Sequence, residues 1–287
     1  MKAPAFAYAK PQSLAEALDL LARHGDAAQI LAGGQTLIAT LNMRLSAPAI
    51  LVDITGLAAL GGITLASDHV RLGALVTHRA IEQSKELAEQ VPLMSQAVSH
   101  IAHVAIRNAG TIGGSIAFAD PAAEWPACCL ALDATIVLAA PAGERRVKAR
   151  EFFRGLYETA RAPGELVVAI EIPRLRGYRS AFLELARRHG DYAIVGVAAL
   201  AKVNGNVLSD LRLAYLGAGP TPLLGAHAMR ALEGRAATAE ALKAAQDALT
   251  HDLAPTADLY SSPATKMHLA RVITGRAIAA LVNEGGA

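Results

Sequence analysis

Two glycine pairs constrain this chain more than any other feature. The run Ala32-Gly33-Gly34-Gln35-Thr36 follows an apolar stretch, Ala28 to Ala32, interrupted by Gln29, and precedes another apolar stretch from Leu37. The run Thr111-Ile112-Gly113-Gly114-Ser115 repeats the chemistry: a glycine pair, then a small polar residue, with a hydroxyl in front. A glycine pair between a strand and a helix lets the backbone approach a phosphate, and the first helical amides then offer it the favourable end of the helix dipole. A plain tight turn needing positive φ also accounts for each pair. Taken together, two such turns suit the two phosphates of a dinucleotide, and two unrelated turns are the competing account.

The surroundings of these pairs predict a layered chain. Ser13-Leu14-Ala15-Glu16 is a capping box, followed by a helix with Leu14, Leu18, Leu21 and Ala22 on one face and Gly25 as its stop. A strand over 28–32, a helix over 37–45 and a strand over 50–54 complete a first unit. A second unit from Gly56 to about Pro173 carries predicted strands at 63–65, 70–72, 134–139 and 166–172, and helices at 80–88 and 92–102. Asp120-Pro121 reads as a helix start, Asp being a strong cap and Pro suited to the first turn. Beyond Pro173-Arg174-Leu175-Arg176-Gly177 come predicted strands at 179–184, 195–203 and 211–216 and helices at 226–232, 239–249 and 264–281.

Composition removes several classes of function. At 53% hydrophobic the chain exceeds the roughly 45–50% of ordinary globular domains, so it folds, and its 287 residues suggest two domains. A net charge of +2, from 27 basic against 25 acidic residues, argues against nucleic acid or an anionic membrane as the main partner. No apolar stretch approaches the about 20 residues that span a bilayer, and the first residues lack a signal peptide's apolar segment, which predicts a cytoplasmic protein. The two cysteines, Cys128 and Cys129, cannot supply the thiolates of an iron–sulfur cluster or a closed zinc site. His100 and His103 lie one helical turn apart without a third metal ligand. Gly217-Ala218-Gly219 has Pro222 where a dinucleotide fingerprint needs its third glycine. Asp120 and Glu124 could cap a helix, or accept from ribose or ribityl hydroxyls. No nucleophile–base pair stands out, and no catalytic or metal-ligating residue is assigned.

Five runs occur in a fixed order: 32–36; Ile106-Arg107-Asn108-Ala109-Gly110 continuing through 111–115; Asp120-Pro121-Ala122-Ala123-Glu124; Ile170-Glu171-Ile172-Pro173; and Arg187-Arg188-His189-Gly190-Asp191-Tyr192-Ala193. Together they resemble the FAD-binding medium subunit of molybdenum hydroxylases, the family of aerobic carbon monoxide dehydrogenase and xanthine dehydrogenase. The resemblance covers essentially the whole chain. It implies an α+β fold: a two-lobe FAD-binding domain of the vanillyl-alcohol-oxidase-like type over 1–176, with lobes of about 1–56 and 57–176, then a C-terminal α/β domain over 177–287.

It also implies that FAD is held by Leu31, Ala32, Gly33, Gly34, Gln35, Thr36, Leu37, Ile101, Thr111, Gly113, Gly114, Ser115, Asp120, Glu124, Val167 and Tyr192. Within that set the glycine turns wrap the pyrophosphate, Asp120 and Glu124 meet the sugar region, and Tyr192 lies near the isoalloxazine. Ser115 stands where many relatives have Asn, and Glu124 where many have Asp. The implied partners are a molybdopterin-binding large subunit and a 2Fe–2S small subunit, assembled as a dimer of heterotrimers, with electrons passing through FAD to an external acceptor. A stand-alone FAD-dependent reductase and a non-enzymatic nucleotide-binding module are the competing expectations.

Overall fold

The computed structural model describes residues 2–283. Strand β1 (Ala7–Ala9) leads into helix α1 (Leu14–His24), where the Ser13 side chain accepts from the Glu16 amide at 3.1 Å and Glu16 accepts from the Gln12 amide at 2.8 Å. That reciprocal cap fixes the start of α1, and its apolar stripe buries Ala17, Leu18 and Leu21. Strand β2 (Ala28–Leu31), helix α2 (Leu37–Asn42) and strand β3 (Ile50–Asp53) follow. The three strands form a parallel sheet in the order β1-β3-β2, with Ala7 and Ala28 both paired to Ile50.

The second layer opens with β4 (Ile63–Leu65) and β5 (His69–Gly73). A helical stretch follows: α3 (His78–Gln83), α4 (Lys85–Gln90), α5 (Pro92–Val98), α6 (Val104–Ala109), α7 (Ile112–Phe118) and α8 (Glu124–Ala131). Then come β6 (Thr135–Ala140), β7 (Gly143–Lys148), α9 (Ala149–Phe152), the short hairpin β8 (Phe153–Gly155) and β9 (Glu158–Thr159), and β10 (Leu166–Pro173). Strands β4-β5-β10-β6-β7 make an antiparallel sheet. One face of it takes the first unit, Val137, Ala139, Leu166 and Val168 packing with Leu18, Leu21 and Val52. The other face takes the helices.

The third layer contains β11 (Arg179–Ala186), β12 (Ala193–Asn204), β13 (Val207–Leu216), β14 (Leu223–Leu224), α10 (Ala226–Leu232), β15 (Arg235–Ala236), α11 (Ala239–Ala248) and α12 (Pro263–Asn283). Its sheet, in the order β11-β12-β13-β14 with β15 on β13, is antiparallel and buried on both faces. Val195, Val197, Ala199, Leu213 and Tyr215 meet the helices Ala226–Asn283 on one side. On the other, Phe182, Ala198, Leu200, Ala214 and Leu216 enter the same core as Trp125, Met94 and Ile116 of the second layer. The period of two along β12 and β13 sorts these residues between two cores.

Three expectations change. The predicted helix over 80–88 is two helices, because the Ser84 side chain accepts from the Leu87 amide at 3.1 Å and so restarts the chain. Asp120-Pro121 does not start a helix. Residues 120–123 form a turn in which Asp120 Oδ1 accepts from the Ala122 amide at 2.9 Å, and α8 begins only at Glu124. Finally, Gly113-Gly114 is no loop between strand and helix but the first turn of α7.

Candidate cofactor site

The structure brings the two glycine turns into contact. A Cβ on Gly33 would lie 2.2 Å from the Ala109 carbonyl oxygen and 2.8 Å from Gly110 Cα, so only glycine lets the first turn rest on the residues that lead into the second. Gly34 adopts φ +70°, the left-handed conformation that turns the chain into α2. Among the described residues no hydrogen bond takes the amides of Gly34, Gln35, Thr36 or Leu37, although the Gly34 carbonyl accepts from Ile38 at 3.0 Å. Four successive uncommitted amides ahead of a helix form a cradle of partial positive charge.

The second turn works differently. The Gly113 amide donates to Ala74 O at 3.0 Å, the Gly114 amide to Thr111 Oγ1 at 3.1 Å, and the Ser115 amide to Thr111 O at 3.1 Å. All three are therefore satisfied within the chain. Gly113 serves close packing, since a Cβ there would lie 2.5 Å from Ala74 Cβ. Gly114 is open: its Cβ would meet only Thr111 Oγ1, at 3.0 Å. What this turn offers a ligand is a bare backbone surface and the Ser115 hydroxyl.

Beyond α7, Ala119 takes a left-handed conformation with φ +54° and swings the chain into the 120–123 turn. Pro121 O accepts from the Gly217 amide at 2.8 Å, and Gly217 itself lies so close to Ile194 O that a Cβ would reach 2.6 Å. Through these contacts the turn carrying Asp120 sits beside the segment carrying Tyr192. Burial first, then the charges of Asp120, Tyr157 and Glu124, raises the Tyr192 hydroxyl above its ordinary value, although 71% of the residue remains exposed. Burial likewise raises Asp120 and pushes Glu124 up to about 7, with Asp120 adding to the latter.

Ile101 and Val167 are placed otherwise. Both are core residues: Val167 lies on β10 opposite Leu138, and Ile101 follows α5, its carbonyl accepting from Arg107 Nη1 at 3.0 Å. Val168 O accepts from the Ala74 amide at 2.9 Å, and Ala74 O in turn holds Gly113.

Two residues at the site escape sequence reasoning. Tyr157, at φ +58° in the β8–β9 turn, stacks on Phe118 with ring centroids 4.9 Å apart. Glu184, on β11, has a buried Oε2 without a partner. Its only signal is a carboxylate at an inward position of an apolar strand.

The residues present fit an FAD. An amide cradle and an open glycine turn lie in contact for a pyrophosphate, while Asp120, Glu124, Tyr157 and Tyr192 gather at the other end, able to accept from or donate to sugar hydroxyls. Comparison with known proteins agrees. A family model described as the FAD binding domain in molybdopterin dehydrogenase matches residues 4–175, and one described as the CO dehydrogenase flavoprotein C-terminal domain matches residues 180–281. The 6-hydroxypseudooxynicotine dehydrogenase complex subunit alpha of Paenarthrobacter nicotinovorans is 38% identical, with 97% of this chain and 95% of that protein covered. The carbon monoxide dehydrogenase medium chain of Hydrogenophaga pseudoflava is 35% identical, with 96% of each covered. A solved structure of carbon monoxide dehydrogenase from Hydrogenophaga pseudoflava superposes with a TM-score of 0.95 at 36% identity, covering 98% of both chains.

Proposed function

Because this chain belongs to the FAD-binding subunits of the molybdenum hydroxylases, we propose that it passes electrons from a 2Fe–2S small subunit to an external acceptor, a molybdopterin-binding large subunit being their source. It binds FAD and is the flavoprotein component of a multi-subunit oxidoreductase. The observation that carries the reading is the contact between the two glycine turns, with four free amides on one of them. FAD, when bound, supplies the redox chemistry, and the chain supplies binding, orientation and electrostatics. Gly34 to Leu37 would hold the pyrophosphate through their amides, with Gly114 and Ser115 closing its other side. Asp120 and Glu124 would take the sugar hydroxyls, and Tyr192 would lie against the isoalloxazine, with Ile101 and Val167 shaping the floor.

The relay is supported by the cysteines as well. Cys128 and Cys129 are buried in the core of α8 and unpaired, so cluster ligands have to come from another polypeptide. The reading includes the vanillyl-alcohol-oxidase-like arrangement of lobes 1–56 and 57–176, a C-terminal domain over 177–287, a dimer of heterotrimers as the assembly, and a cytoplasmic location. No helix among the described residues is long and apolar enough to cross a membrane.

The test uses the purified chain loaded with FAD. It should accept electrons from dithionite yet show no turnover with aldehydes, purines, N-heterocycles or carbon monoxide until both partner subunits are added. Substrate-dependent turnover by the single chain would overturn the relay and favour a stand-alone reductase.

A further inference from the structure

Arg107 lies in α6, the helix that ends at Ala109, on whose carbonyl Gly33 rests. It is only 7% exposed, and every nitrogen of its guanidinium is committed within the chain. Nε and Nη2 donate to the two carboxylate oxygens of Glu82 on α3, at 3.2 and 3.1 Å. Nη1 donates to Ile101 O at 3.0 Å and to Ala102 O at 2.9 Å. With its fork taken up by these partners, Arg107 acts on the turn between α5 and α6 rather than on a ligand. That turn needs holding. Ala102 adopts φ +42°, a left-handed conformation that a residue with a Cβ takes only where its surroundings impose it. The two carbonyls that Nη1 grips stand on either side of the Ala102 Cα, so one nitrogen, anchored from behind by Glu82, fixes both dihedrals of that residue.

The outer side of the same turn receives the segment between β11 and β12. Gly190, at φ +85°, lies so close that a Cβ would be 2.8 Å from Ala102 O and 3.0 Å from His103 Cε1. The Asp191 amide closes the segment onto Arg188 O at 3.1 Å, and the His189 and His100 rings stand edge-on with 6.2 Å between centroids. Tyr192 comes two residues after Gly190, immediately before β12, and is 71% exposed. Any shift of the Ala102 carbonyl therefore reaches the Tyr192 segment through direct backbone contact.

We propose that Arg107 is a positioning residue of the flavin site: by gripping the two carbonyls that flank Ala102 it fixes the shelf on which Gly190 rests, and so sets where Tyr192 stands against the isoalloxazine. This rests on the placement of Tyr192 given above. A side chain that tunes a reacting ring has to be held within about 0.5 Å by its supports, and an exposed tyrosine on a glycine turn has no such precision of its own.

The absorbance and reduction potential of flavin bound to the full chain test this, in R107M, R107K, Y192A and the R107M/Y192A pair. R107M removes every donor and should move both signals in the direction that Y192A moves them. The pair should move them no further than Y192A alone, because both substitutions act through one ring. R107K keeps the charge beside Glu82 without the planar fork and should shift the signals the same way, which carries the test should R107M not fold. Glycine takes the left-handed conformation without strain, so R107M/A102G should recover part of the native signals. A merely structural loss would lower the melting temperature and leave the signals of the folded, loaded chain unchanged. Native signals in folded R107M and R107K, a shift in R107M/Y192A equal to the sum of the single shifts, or no recovery in R107M/A102G would overturn the proposal. Unchanged signals in Y192A itself would instead overturn the placement of Tyr192 on which the proposal rests.

Discussion

At the scale of single residues, the glycines separate into those that pack and those that leave room. Gly113 and Gly33 each have a backbone or Cβ atom of another segment where a methyl would go. Gly113→Ala should therefore cost about 1–3 kcal/mol of stability whether or not flavin is present, read as a lower denaturant midpoint. Gly114 faces only the Thr111 hydroxyl, so Gly114→Val should leave a folded chain with strongly reduced flavin occupancy. Full FAD retention in that variant would remove the second turn from the site. Tyr192 is the exposed member of the acidic cluster, and Tyr192→Ala should change the absorbance or reduction potential of bound flavin without affecting the fold. An unchanged spectrum and potential would place its ring elsewhere.

At the scale of elements, α8 and α3 are joined by one buried bond. Trp125 Nε1 donates to His78 Nδ1 at 2.9 Å, which leaves the proton of the neutral ring on Nε2. Burial, then the Arg107 charge, pushes His78 down to about 4. A folded value below the unfolded one means that this contribution is present above about pH 6.5 and is lost as pH falls through about 4, up to about 3 kcal/mol. His78→Leu should lower stability at neutral pH by about 1–3 kcal/mol, through the orphaned indole, and should flatten this part of the acid profile. Equal acid sensitivity in native and variant chains would count against it. Elements such as α1 and α12 are legible in the sequence because a cap or a long apolar stripe is a local pattern. Strand β7, Gly-Glu-Arg-Arg-Val-Lys, is not. It is an edge strand whose Arg145 and Arg146 pair with Glu165 and Glu171, at 2.6 and 3.0 Å, from outside any local window. The short helices α6 and α7 are likewise fixed by tertiary contacts, as when Ile112 donates its amide to Val76 O at 3.0 Å. At the site, the runs 32–36 and 111–115 can be read as motifs, whereas Tyr157 and Glu184 join it only through folding.

At the scale of the whole molecule, the decisive feature is a core that does not stop at residue 176. Phe182, Ala198, Leu200, Ala214 and Leu216 belong to the same buried cluster as Trp125, Met94 and Ile116. A fragment of residues 1–176 would uncover that face, so it should aggregate or bind a hydrophobic dye strongly, while the full chain does neither. A well-folded, monomeric fragment would show that the two parts close their cores separately. The same shared core bears on how such chains diverge. Side chains facing each other across residue 176 have to change in volume together, so a hybrid joining 1–176 to the C-terminal portion of a relative would meet mismatched surfaces at Phe182 and Leu200. Crossovers at that point would be selected against, and the two portions would be inherited as one unit.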